Sequence, residues 1–125
     1  MKPNYLTILI TTLCIFFNAC HNSNTAPQLQ LADSLIDKRA DSALCILEKL
    51  SIEEISNKSA KAMYALLLTE ALDKNFKSHR NDSLILIAVD YYKDNSNNKL
   101  KTKAYYYLGR VYQDNKEYIK QQKLI

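Results

Sequence analysis

Ala104-Tyr105-Tyr106-Tyr107-Leu108-Gly109-Arg110-Val111-Tyr112 is the stretch on which the fold turns. With its flanks it reads as a helix from Lys99 to about Gln113, which sets Leu100, Ala104, Tyr107, Leu108 and Val111 on one face. An earlier stretch, Ala62-Met63-Tyr64-Ala65-Leu66, superposes on Ala104 to Leu108 at a spacing of 42 residues. Asp41-Ser42-Ala43-Leu44-Cys45-Ile46-Leu47 superposes on Asp82-Ser83-Leu84-Ile85-Leu86-Ile87-Ala88 at a spacing of 41. Two nearly equal spacings point to repeated helix pairs, each leaving an apolar face that only its neighbour can cover.

Outward from that stretch, the other helices follow from the same period. Leu29, Ala32 and Ile36 form a stripe with Leu31 and Leu35 beside it, and Ala43, Leu47 and Leu50 form the next. This predicts a hairpin of Gln28–Arg39 and Ser42–Leu50, the second helix capped by Asp41-Ser42. Ser51 to Asn57 connects it, with room for a short helical turn at Glu53-Glu54. A third helix, Lys58 to Phe76, carries Ala60, Met63, Leu67 and Ala71 on one side and Tyr64, Leu68 and Leu72 next to them, an apolar face broad enough to need cover on two sides. Asp82-Ser83 caps a fourth, with Leu84, Ile87, Ala88 and Tyr91 as its stripe and Ile85, Val89 and Tyr92 adjoining, and Asp94 to Asn98 stops it. A sixth helix is expected from Lys116 to Ile125. No stretch alternates with period two over a strand's length, so the expected class is all-α, without a sheet.

Composition agrees. One Gly and two Pro in 125 residues argue against a turn-rich β protein, and 47% hydrophobic residues argue against wholesale disorder. Three Cys, two His and no Gly-rich loop leave little material for a metal cage, a phosphate cradle or a nucleophile with its base, so a non-catalytic chain is expected, with no metal and no cofactor. Glu53-Glu54 lie on a polar turn where nothing apolar would raise either pKa for acid–base work. Charge is divided unevenly: residues 28–57 sum to −3 and residues 74–125 to +6. A basic half suits an acidic partner or anionic headgroups, while no nucleic-acid motif appears.

The N-terminus reads as an address. Met1-Lys2-Pro3-Asn4 is a short basic start, Leu6 to Phe17 is an apolar run, and the chain turns polar after Cys20. That run has 12 residues, short of the roughly 20 that span a bilayer, so a cleaved signal is the better reading. Phe17-Asn18-Ala19-Cys20 resembles the lipobox of bacterial lipoproteins, with Ala19 and Cys20 fitting the strict pattern. The resemblance implies cleavage before Cys20 and acylation of its thiol by chains such as palmitate, each buried CH₂ contributing about 0.8 kcal/mol to anchoring. Residues 1–19 are then a lipoprotein signal peptide, 20–27 a flexible tether and 28–125 the helical-repeat domain. Cys45 alone stays free in the mature chain and, among Leu44, Ile46 and Leu47, is expected to be a small buried hydrophobe. His21 in the tether and His79 in a loop, far from any carboxylate pair, are given no ligand role.

Ala104 to Tyr112, followed by Lys116-Glu117-Tyr118, resembles the first helix and turn of a tetratricopeptide repeat, at Tyr105, Leu108, Gly109, Tyr112 and Tyr118. The only Gly falls where that family brings two helices close together. Upstream, Leu67 stands where Gly would stand and Glu70 where Tyr would stand, and the spacing exceeds the family's period of about 34 residues. The resemblance implies stacked antiparallel hairpins in a tetratricopeptide-like α-solenoid of about two and a half hairpins. That falls below the three or so repeats of a self-sufficient stack, so the chain is either a shortened relative or a unit that completes its core against a partner. Lipoprotein signal and helices together resemble envelope-anchored tetratricopeptide sensor regulators of Gram-negative bacteria.

Transferred position by position, the family's groove-lining residues are Lys103, Tyr106, Arg110 and Gln113, at i, i+3, i+7 and i+10. Two cations, an aromatic platform and an amide on one face suit an extended acidic peptide or a terminal carboxylate. The nine tyrosines are expected chiefly to pack between helices, hydroxyls at the edge. The reading is thus a periplasm-facing, lipid-anchored scaffold for a protein or peptide partner. Its alternatives are the truncated sensory head of a larger signalling regulator, which a continuing reading frame would reveal, and a small carbohydrate-binding lipoprotein, which would need a pocket.

Overall fold

The computed structural model describes residues 25–79 and 81–124. Among them the chain is all-helical: α1 (Thr25–Leu35), α2 (Ala40–Leu47), a 3-10 turn (Ile52–Glu54), α3 (Lys58–Lys74), α4 (Ser83–Tyr92) and α5 (Asn98–Lys123). No strand occurs among the described residues, as the missing period-two alternation implies. The signal segment and Cys20 lie outside the described residues.

The side-chain capping bonds stand elsewhere than expected, although Asp82 does take the N-cap position of α4. Asp41 lies inside the first turn of α2, behind Arg39, which makes no side-chain capping bond, and Asp82 caps α4 without one. The caps form instead on α3 and α5, where Asn57 Oδ1 accepts from the Ala60 N–H at 3.1 Å and Asn97 Oδ1 from the Leu100 N–H at 3.2 Å. α1 is described from Thr25, so residues 25–27, assigned to the tether, already belong to it. α3 closes on Phe76 with a left-handed φ of 56°. The Lys77 N–H reaches the Leu72 carbonyl at 2.9 Å and the Phe76 N–H the Asp73 carbonyl at 3.0 Å, a Schellman closure at which Gly is usual.

The expected fifth and sixth helices are one. Neither Gly nor Pro interrupts Gln113 to Lys116, and the small helix penalty of Asp114 and Asn115 is outweighed by side-chain bonds along the supposed break. Arg110 Nη1 donates to Gln113 Oε1 at 2.9 Å, and Gln113 Nε2 to Glu117 Oε1 at 3.2 Å. Cys45 is exposed, contrary to expectation, because Ala43, Leu44 and Leu47 take the core. At 100° per residue Cys45 points roughly 150° away from them. On α4 the buried set is Ile85, Ala88 and Tyr92, while Ile87, assigned to the stripe, is exposed. Tyr64, Tyr92 and Tyr107 are buried, but Tyr105, Tyr106, Tyr112 and Tyr118 are exposed, so packing between helices describes only some of the tyrosines.

α3 organises the packing. One side joins Leu29, Ala32 and Ile36 of α1, Ala43, Leu44 and Leu47 of α2, and Ile55, through Tyr64, Leu67 and Ala71. The other joins Ile85, Ala88 and Tyr92 of α4 and Ala104, Tyr107 and Val111 of α5, through Ala62, Ala65 and Leu66. α3 contacts every other helix. Glu70 meets Lys103 and, further along, Asp73 meets Arg110, so α3 and α5 lie side by side in parallel. The end of α3 at Lys74 likewise meets the end of the α1 segment at Asp37.

Candidate functional site

The seam between α3 and α5 holds most of the structure's buried charge. Glu70 interrupts the apolar run of α3 and is only 1% exposed. A carboxylate so placed must be paired, because its desolvation is otherwise far too costly. Lys74 Nζ lies 3.0 Å from Glu70 Oε1 and 2.6 Å from Asp37 Oδ1, and Lys103 Nζ lies 2.5 Å from Glu70 Oε2. The result is a relay, Asp37–Lys74–Glu70–Lys103, running from the loop after α1 across α3 to α5.

One turn further on, the Arg110 fork grips Asp73, with Nε and Nη2 at 3.1 and 2.9 Å from Oδ1. His79 Nε2 sits 3.1 Å from the same oxygen, and the His79 N–H donates to Asp114 Oδ2 at 3.2 Å. His79 is therefore buried between two carboxylates, where the sequence reading placed it far from any such pair. Burial pushes the Asp73 carboxyl up, but the hydrogen bonds from Arg110 and His79 more than offset this and hold it below the usual carboxylate range. Burial pulls the Lys74 ammonium down, and the bonds to Asp37 and Glu70 reverse that, leaving it raised. The Tyr107 phenol is pushed far up, first by burial and then by the charges of Glu70 and Asp73.

The four residues read from the sequence do share one face of α5. Lys103 and Arg110 turn to α3, where Glu70 and Asp73 already neutralise them. Offering either cation to an acidic peptide would cost its buried partner a counter-charge. Tyr106 is 58% exposed, its ring edge-on to Tyr107 with centroids 5.0 Å apart. Gln113 is exposed and bonded to Arg110 and Glu117. Beside Tyr106 lies an open depression of about 600 Å³, lined by Asn98, Lys99, Thr102, Lys103, Tyr106 and Tyr107. A smaller polar cleft of about 260 Å³ opens where Asp73, Phe76, His79, Arg110, Asp114 and Glu117 meet.

Glu70, Asp73, Lys74, Asp37 and Asp114 escaped the sequence reading. A signal was present for one of them, since a Glu amid Leu66-Leu67-Leu68-Thr69 and Ala71-Leu72 demands a cationic partner from another element. Among the described residues no group of three or more His, Cys, Asp or Glu is placed to hold a metal ion. None of the described helices is long and apolar enough to cross a membrane. No protein-family model, curated protein or solved structure matches this chain.

Proposed function

We propose that the protein is a lipid-anchored scaffold, acylated at Cys20, whose tetratricopeptide-like helical stack binds a protein or peptide partner at the periplasmic face of a bacterial envelope membrane, without a catalytic step. The observation that carries the binding part is the exposed Tyr106 beside its open depression, on a helix held rigid by two intramolecular ion-pair sites. Parallel α1, α3 and α5, linked through α2 and α4, support the solenoid reading, since such stacks present their first helices as one continuous surface. Because Lys103 and Arg110 are engaged with α3, Tyr106 and the rim residues Lys99 and Thr102 are the groups free to meet a ligand, which favours an extended peptide with an apolar or aromatic residue over a purely acidic one.

The address and the binding surface are tested together. Cys20→Ser moves the protein from the membrane to the soluble fraction, and intact mass of the membrane species corresponds to a chain starting at acylated Cys20. Cross-linking in host membranes captures a partner that Tyr106→Ala loses without any change in circular dichroism. Membrane retention of the Cys20→Ser protein would refute the anchor, and capture indifferent to Tyr106 would refute the surface.

A further inference from the structure

α5 carries a second stripe that the fold leaves uncovered. Tyr105, Leu108, Tyr112 and Ile119 recur at i, i+3, i+7 and i+14; Tyr105, Tyr112 and Ile119 are each about half exposed, and Leu108, at the edge of the stripe, is partly buried against the core. Beyond Val111 no described residue of α5 is buried. Gly109 borders this stripe, roughly 70° from its centre, and a Cβ built there would meet nothing within 4 Å. A glycine inside a helix weakens it relative to alanine, and no neighbour among the described residues makes use of the bare backbone. The close helix approach that the sequence reading assigned to Gly109 is therefore absent inside the described chain.

The charges of α5 that flank the stripe have one sign. Lys101, Lys116 and Lys123 project within roughly 50° of its centre, whereas Asp114 and Glu117 of α5 project roughly 150° away. On the α4 side Lys93 lies near Tyr105, where it is paired with Asp90 and has Asp94 close by. Two copies meeting through this face would set lysines against lysines. We propose that the face docks an acidic amphipathic helix of a partner protein. Its apolar side covers Tyr105, Leu108, Tyr112 and Ile119, its backbone passes close over Gly109, and its carboxylates meet Lys101, Lys116 and Lys123. This names a partner class for the protein-binding reading above and rests on it, at a different face of α5 from Tyr106.

The test titrates the full chain, held in detergent micelles, into two fluorescent synthetic helices with one Leu face, one flanked by Glu and the other by Lys. The Glu helix binds at least tenfold more tightly, and added salt weakens it. Gly109→Leu lowers its affinity at least tenfold while the melting temperature holds or rises, because Leu is the better helix former. Lys116→Glu/Lys123→Glu, on solvent-exposed positions, reverses the preference between the two helices. Equal affinity for both helices, no binding of either, or binding indifferent to Gly109→Leu overturns the proposal, as does a dimer of the free protein that Gly109→Leu abolishes. If the Glu helix fails to bind while Tyr106-dependent capture persists, this inference falls alone; if no partner is captured through either face, the protein-binding reading falls with it.

Discussion

At the scale of single residues, Phe76 is held against its own preference. Its φ of 56° costs an L-residue about 1–2 kcal/mol, and with the side chain 98% exposed no burial offsets that. Phe76→Gly relieves the strain and retains both Schellman hydrogen bonds, so we expect it to stabilise the protein by about 1 kcal/mol, read as a higher urea midpoint at unchanged m-value. A lower midpoint would mean that the ring has a contact in solution. Glu70 shows how a residue is misread from sequence alone. Compared with a repeat pattern it is merely a missing Tyr, whereas in three dimensions it joins α3 to α5 through Lys103 and backs onto Lys74.

Between elements, the attachment of α5 to α3 depends on protonation. The Asp73 carboxyl, held below its ordinary value of 3.8 by Arg110 and His79, contributes stability that is complete above that value and is lost as pH falls through its folded-state pKa. Melting temperatures measured from pH 6 down to pH 2 should therefore drop for the wild type below about pH 4. Asp73→Asn begins lower and has a shallower decline over the same window; parallel curves would show that the pair does not govern acid stability. The continuity of α5 is decided at this scale too. Gln113 to Lys116 reads as a break only if Asp and Asn are weighed as helix stoppers without the i,i+3 and i,i+4 bonds of Arg110, Gln113 and Glu117.

For the whole molecule, the decisive feature is that one helix serves two cores. Leu67 belongs to the core shared with α1 and α2, and Leu66, its neighbour in sequence, to the core shared with α4 and α5. Damage to either side of α3 is damage to the element both sides need. Leu66→Ala and Leu67→Ala are each expected to cost about 2–4 kcal/mol. Each should also preserve a single unfolding transition, with circular dichroism and tyrosine fluorescence coinciding in urea. Two separated transitions would mean that the cores fold independently, as weakly coupled repeats do.

Periodicity by itself determined that this chain is helical, where most helices lie, and that α3 must be covered on two sides, because the apolar spacing of a helix is a local property of the chain. It also put Lys103, Tyr106, Arg110 and Gln113 on one face of α5. Only the tertiary structure decided where that face points. Lys103 and Arg110 became internal counter-charges because α3 happens to present Glu70 and Asp73 at matching height, and Gly109, Tyr105 and Tyr112 remained open because no described helix comes to cover them. Pairing and covering are relations between segments remote in sequence, set by how helices stack, and no window along one helix contains them.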